Sequence, residues 1–79
     1  MPFVLYSRRG CHLCDQAEEL LFFHGVDAAV IDVDSDDAAR ERFGLRVPVL
    51  EIDGVVAMEG RFDECELVRV LAVDRRSQS

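Results

Sequence analysis

Two hydrophobic rhythms alternate along this chain. Pro2-Phe3-Val4-Leu5-Tyr6 is an apolar run of β-formers ended by polar Ser7-Arg8-Arg9-Gly10, which predicts a strand and a loop. Leu13, Ala17, Leu20, Leu21 and His24 then recur every three or four residues, a helix that Gly25 ends as a C-cap. Ala28–Val33 is almost continuously apolar, the character of a strand covered on both faces. Asp34 and Ser35 offer caps for a short helix with Asp36 and Asp37 in its first turn, Arg40 and Arg42 toward its end, and Gly44 beyond. Pro48–Ile52 and Val55–Met58 flank Asp53-Gly54, a strong two-residue hairpin signal. Asp63 to about Val73 reads as a last helix, with Cys65, Val68, Leu71 and Ala72 along one stripe.

The predicted order is β-α-β-α-β-β-α. A right-handed crossover makes the first two strands parallel, and the tight turn makes the last two antiparallel. The fold class is therefore α/β, a four-stranded mixed sheet flanked by helices. Residues 1–74 are expected to form a single domain, and Arg75–Ser79 a polar C-terminal tail. Phe3, Phe22, Phe23, Phe43 and Phe62 are expected in the core, with Phe62 also placed to line a groove. Cys65 is expected as a small core hydrophobe, His24 as a half-buried residue facing its helix end, and Tyr6 beside the cysteines.

Composition narrows the function. In 79 residues, 16 acids against 9 bases give a net charge of -7, which argues against nucleic acid or an anionic membrane as partner. No apolar run approaches the ~18 residues of a membrane span, and no signal-peptide pattern is present. Three cysteines are too few, and odd in number, for a secreted disulfide scaffold, so a cytoplasmic setting is expected. All nine basic residues are arginine. Asp32, Asp34 and Asp36 mimic the opening of a calcium loop, but Asp37 and Phe43 stand where the turn glycine and the bidentate glutamate belong.

The chemistry concentrates in Cys11-His12-Leu13-Cys14, where the first loop becomes the first helix. Unpaired N–H groups and a partial positive charge at a helix N-terminus favour a thiolate on the outermost sulfur, Cys11, and thiolate is the reactive form in disulfide exchange. Cys14, one turn further in, is placed to displace a mixed disulfide. Arg8 and Arg9 add positive charge that could hold an anionic thiol substrate. The residues alone leave three other uses open: a structural disulfide, a zinc site drawn from Cys11, His12, Cys14, His24 and Cys65, and a copper or other soft-metal site on the two thiolates.

Leu5-Tyr6-Ser7-Arg8-Arg9-Gly10-Cys11-His12-Leu13-Cys14 resembles the active-site stretch of glutaredoxins, and Val47-Pro48 with Val49–Gly54 resembles the Val-Pro, strand and hairpin of the same thioredoxin superfamily. The likeness runs from about Pro2 to Asp74 and is nearest to short bacterial glutaredoxin-like proteins. It implies a thioredoxin-like, glutaredoxin-type fold, a cis Val47–Pro48 bond, Cys11 as nucleophile and Cys14 as resolving thiol. It further implies that the Val47 backbone receives an extended substrate, that Pro48 shapes the pocket floor, that Arg8 is the family's basic residue, and that Asp63 holds the γ-glutamyl end of glutathione. His12 and Arg9 would modulate the pair.

The chain also departs from the family pattern. His12-Leu13 replaces Pro-Tyr, Arg46 replaces the Thr before Val-Pro, and Glu59-Gly60 replaces Gly-Gly, followed by bulky Arg61-Phe62. Gly10 stands where thioredoxins carry Trp, and Leu5 where they bury an Asp.

The expected activity is thiol–disulfide oxidoreduction by a monomer with no bound cofactor or metal. Protein disulfides or glutathione mixed disulfides would be the substrates, and glutathione or a reductase the electron source. A copper- or zinc-delivery module is the alternative, although copper chaperones end on a strand and need no Val-Pro. A non-catalytic adaptor of the same fold is the other.

Overall fold

The computed structural model describes residues 3–77, with side chains described for residues 3–72. β1 (Phe3–Ser7) leads into α1 (His12–Phe23) and β2 (Ala28–Asp32). A 3₁₀ turn (Val33–Ser35) precedes α2 (Asp37–Phe43), and β3 (Val49–Ile52), β4 (Val55–Glu59) and α3 (Glu64–Ser77) complete the chain. The strands lie in the order β2-β1-β3-β4. β1 pairs parallel with β2 and antiparallel with β3, and β3 pairs antiparallel with β4. Pro2, the expected first strand residue, lies outside the described residues, as do residues 78–79 of the expected tail. Residues 75–77 continue α3 instead of beginning that tail.

Local chemistry sets the boundaries. α1 stops where Gly25 adopts φ 68°, with Val26 N–H donating to the Leu21 carbonyl at 2.9 Å and Gly25 N–H to the Phe22 carbonyl at 3.0 Å. That pair of bonds satisfies carbonyls the helix leaves open. Asp53 at φ 53° and Gly54 at φ 81° form the two positive-φ positions of a tight turn whose twist matches the β3–β4 hairpin. The caps of α2 differ from expectation. Asp36 caps the helix through its bond from Ala39 N–H at 3.1 Å, while Asp32 caps the preceding turn through Asp34 N–H at 2.9 Å. Asp34 is thereby released from capping.

Strand alternation divides the interior in two. Leu5, Leu50 and Met58 meet Ala17 and Leu21 of α1 and Leu67 and Leu71 of α3 on one face. Tyr6 and Val49 meet Val33, Ala39 and Phe43 on the α2 face. Several core expectations fail for geometric reasons. Phe22 and Phe23 follow the inward Leu21 by one and two residues, which turns them about 100° and 200° away, and they are 79% and 72% exposed. The buried stripe of α3 runs through Leu67 and Leu71, so Cys65, Val68 and Ala72 point outward. β2 is an edge strand with Ala29 and Val30 exposed, not a strand covered on both faces, and Val33 belongs to the turn after it. An open cleft of about 220 Å³ between the far end of α1 and the start of β2 lies away from the cysteine pair.

Candidate active site

Ser7 ends β1, and Gly10, at φ 75°, turns the chain so that Cys11 enters α1 as its N-cap. The Cys11 Sγ accepts from Cys14 N–H at 3.3 Å, and its carbonyl accepts from Asp15 N–H at 3.0 Å. A thiolate here takes the place a Ser or Asp oxygen usually fills at a helix start, with the macrodipole in its favour. Cys11 is half-buried and Cys14 wholly buried, both as free thiols. Burial, and then the hydrogen bond to the Cys11 sulfur, push the Cys14 thiol up from 9.0 to about 12. The pair is therefore asymmetric, an accessible outer sulfur above a neutral inner thiol.

That asymmetry has a pH consequence. The fold favours neutral Cys14, so its contribution to stability is complete below the ordinary thiol value of 9.0 and is lost as pH rises toward about 12. Reduced protein is expected to lose stability over that range in denaturant titrations, and Cys14→Ser to lose less. Equal declines in the two proteins would refute the assignment.

The opposite wall comes from β3 and β4. The pairing of Tyr6 with Val49 carries Pro48 to the level of Ser7, at the end of the sheet where the cysteine loop begins. The Val47–Pro48 peptide is cis, and the Pro48 carbonyl accepts from Gly60 N–H at 2.9 Å. Arg8 ties the cysteine loop to the turn after β2 and to the end of α2. Its Nε and Nη2 donate to the two carboxylate oxygens of Asp34 at 2.9 and 3.1 Å, and its Nη1 donates to the Gly44 carbonyl at 2.9 Å. These bonds raise the Arg8 guanidinium further and hold the Asp34 carboxyl below the usual carboxylate range. On the Pro48 side, Arg46 pairs with Glu59 through both Nε and Nη2, and its guanidinium carbon lies 5.5 Å from the Phe43 ring centre.

Of the residues singled out from sequence, Cys11, Cys14, Arg8, Val47 and Pro48 gather at this end of the sheet. Asp34 and Gly44 take three of the five N–H donors of Arg8, which leaves one N–H on each terminal nitrogen. Asp63 is spent as a cap, accepting from Glu66 N–H at 3.2 Å. The adjacent Glu64 bonds His24 at 2.8 Å, so the start of α3 is tied to the end of α1 remote from Cys11. His12 and Arg9 are exposed. Tyr6 packs away from the sulfurs, its ring centre 4.6 Å from that of Phe43 and its hydroxyl donating to Glu51 at 3.3 Å. The candidate zinc ligands are scattered, and among the described residues no group of three or more His, Cys, Asp or Glu side chains converges. Asp34 and Gly44 were read only as helix-boundary residues and Glu59 only as a departure from the family pattern. The sequence marked Asp34 as a candidate cap within the Asp32–Asp36 run and carried no sign of a partner at Arg8.

Among the described residues, no helix is long and apolar enough to cross a membrane. The glutaredoxin-like domain family (DUF836) matches residues 3–72. The X-ray structure of target protein XcR50 from X. campestris is similar at TM-score 0.80 and 36% identity, covering 90% of this chain and 96% of that one. The solution structure of XcR50 is similar at TM-score 0.73 and 37% identity, covering 92% and 95%. A malarial protein at 12% identity and TM-score 0.57, covering 90% and 92%, shares the fold alone. A search of the curated proteins finds no match. A thioredoxin-like sheet and helix arrangement, a family match over nearly the whole chain and a relative sharing more than a third of its residues lead to one assignment: the chain belongs to the glutaredoxin-like (DUF836) family.

Proposed function

We propose that the protein is a thiol–disulfide oxidoreductase of a reducing compartment such as the cytoplasm. The observation that supports this reading is the asymmetric pair, with half-buried Cys11 capping α1 above the wholly buried, neutral Cys14. Cys11 thiolate attacks one sulfur of a substrate disulfide; a Cys11–substrate disulfide forms and the other substrate sulfur leaves as thiolate. Cys14 then attacks the Cys11 sulfur. The Cys11–Cys14 bond forms, the mixed bond breaks, and the Cys14 proton ends on the released substrate thiol. Two electrons pass to the substrate, and an external thiol, glutathione or a reductase, returns them. Burial keeps Cys14 protonated until the mixed disulfide places a sulfur beside it, which restricts attack by Cys14 on other disulfides.

Intact-mass measurement across glutathione redox buffers, quenched with a thiol-blocking reagent, tests this. Reversible loss of two hydrogens assigned to Cys11 and Cys14 is the expected result. An added glutathione mass on Cys11 would identify glutathione as a co-substrate. Thiols that stay reduced until harsh oxidation would sink the enzyme reading.

A further inference from the structure

Asp34 is the one acid of the Asp32–Asp36 run whose carboxylate leaves its own segment. Asp32 bonds Asp34 N–H at 2.9 Å and the Ser35 hydroxyl at 3.3 Å, and Asp36 caps α2. Asp34 instead reaches 26 positions back to take Arg8 in a two-bond fork, while the third nitrogen of that guanidinium holds the Gly44 carbonyl. The fork fixes the orientation of the guanidinium as well as its place. Arg8 stands three positions before Cys11 in the loop that leads from β1 to the cysteine pair, and exposed Arg9 follows it.

We propose that Asp34 is a positioning residue that sets the redox poise of the cysteine pair. It screens the Arg8 charge from Cys11 and braces the cysteine loop against the Gly44–Pro48 loop. The proposal rests on the oxidoreductase reading and adds to it the residue that biases the pair toward a reductant. A bare guanidinium beside Cys11 would stabilise the reduced, thiolate-bearing form and make the couple more oxidising. The Asp34 carboxylate offsets that charge, so the disulfide form is relatively favoured and the dithiol gives up electrons more readily.

Asp34 is the acid bonded to Arg8, while exposed Arg9 and His12 flank Cys11 unchanged in both variants and so cancel from their comparison. Arg8 faces Asp32 and Asp34 from the end of β2 and the turn after it, and Cys11 from α1. Asp34 faces Arg8 and also Arg40 of α2, but Arg40 is held by Asp37 at 2.7 Å. Asp15 of α1 faces Cys14. Asp32 is engaged by its two bonds within the turn.

The test is a pair of single variants, Asp34→Asn and Arg8→Gln, read by the rate of Cys11 alkylation near pH 6 and by the equilibrium constant of the pair with glutathione. Asn retains an acceptor for Arg8 but removes the charge. Asp34→Asn is expected to raise both the alkylation rate and the tendency to be reduced by about threefold, the size of one partly screened charge at this range. Arg8→Gln is expected to lower both. Opposite signs separate screening from support, because loss of a purely structural brace shifts both variants in the same direction. The gap between Asp34→Asn and the parent protein is also expected to shrink in molar salt, a readout taken on folded protein. Shifts of the same sign, or an Asp34→Asn variant indistinguishable from the parent, overturn the proposal. A parent protein that forms no Cys11–Cys14 disulfide in these buffers overturns the oxidoreductase reading instead.

Discussion

Cys11→Ser is expected to lose disulfide reduction by about a thousandfold or more, because serine at neutral pH supplies no anion comparable to a thiolate. Cys14→Ser is expected to behave differently: it should take one equivalent of substrate and stop, accumulating the mixed disulfide on Cys11. The contrast follows from burial. Cys11 is the sulfur a substrate can reach, and Cys14, with no exposed surface, is reachable only from Cys11. A reductase assay with a model protein disulfide gives the first result, and intact mass under non-reducing conditions gives the second. Retained turnover in Cys11→Ser, or trapping by Cys11→Ser in place of Cys14→Ser, would reverse the roles. Cys65, exposed on α3, is the control, and its replacement is expected to leave turnover unchanged.

Phe43→Ala is expected to be the most damaging substitution in the α2-side core. Its ring is 2% exposed, lies 4.6 Å from the Tyr6 ring and has the Arg42 guanidinium 4.5 Å above it. Removing a buried phenylalanine costs about 3–5 kcal/mol through lost transfer energy and the cavity left behind. In a domain of this size each kcal/mol lowers Tm by about 4–8 °C, so a fall of at least ~12 °C is expected. Activity should fall with it, because Phe43 immediately precedes the Gly44–Pro48 loop that Arg8 holds. Phe22→Ala and Phe23→Ala, at positions 79% and 72% exposed, are expected to change stability by less than about 0.5 kcal/mol. Thermal melts of the three variants check this ranking, and equal losses would contradict the described packing.

Much of the frame was legible in the residues because each element carries its own signal. Gly25 and Asp53-Gly54 marked a helix end and a hairpin that the backbone makes with positive φ. Cys11–Cys14 declared itself by falling between a strand and a helix. Where reading failed, the missing information was rotational or long-range. Cys65 and Leu67 look equally apolar in sequence, yet two residues apart on a helix they face nearly opposite ways, and only packing against Leu5 and Leu21 chooses between them. β2 looked covered on both faces because strand order, which leaves it at the edge, is not written in its composition. Asp34 could not be told from its neighbours Asp32 and Asp36, since its partner stands 26 positions earlier.

Glu51 is an acid in the middle of β3, 8% exposed, with the Tyr6 hydroxyl at 3.3 Å and Arg42 at 3.5 Å. Side chains alternate across a strand, so sliding β3 by one residue past β1 would exchange the faces of Glu51 and Leu50. The carboxylate would enter the Leu5, Leu21 and Leu71 core, where a charge without partners costs several kcal/mol. In the native alignment it meets a hydroxyl and a guanidinium. Glu51 thus acts as a key that admits one alignment of β3, and the station of Pro48 beside Ser7 is inherited from an acid three positions further along the strand.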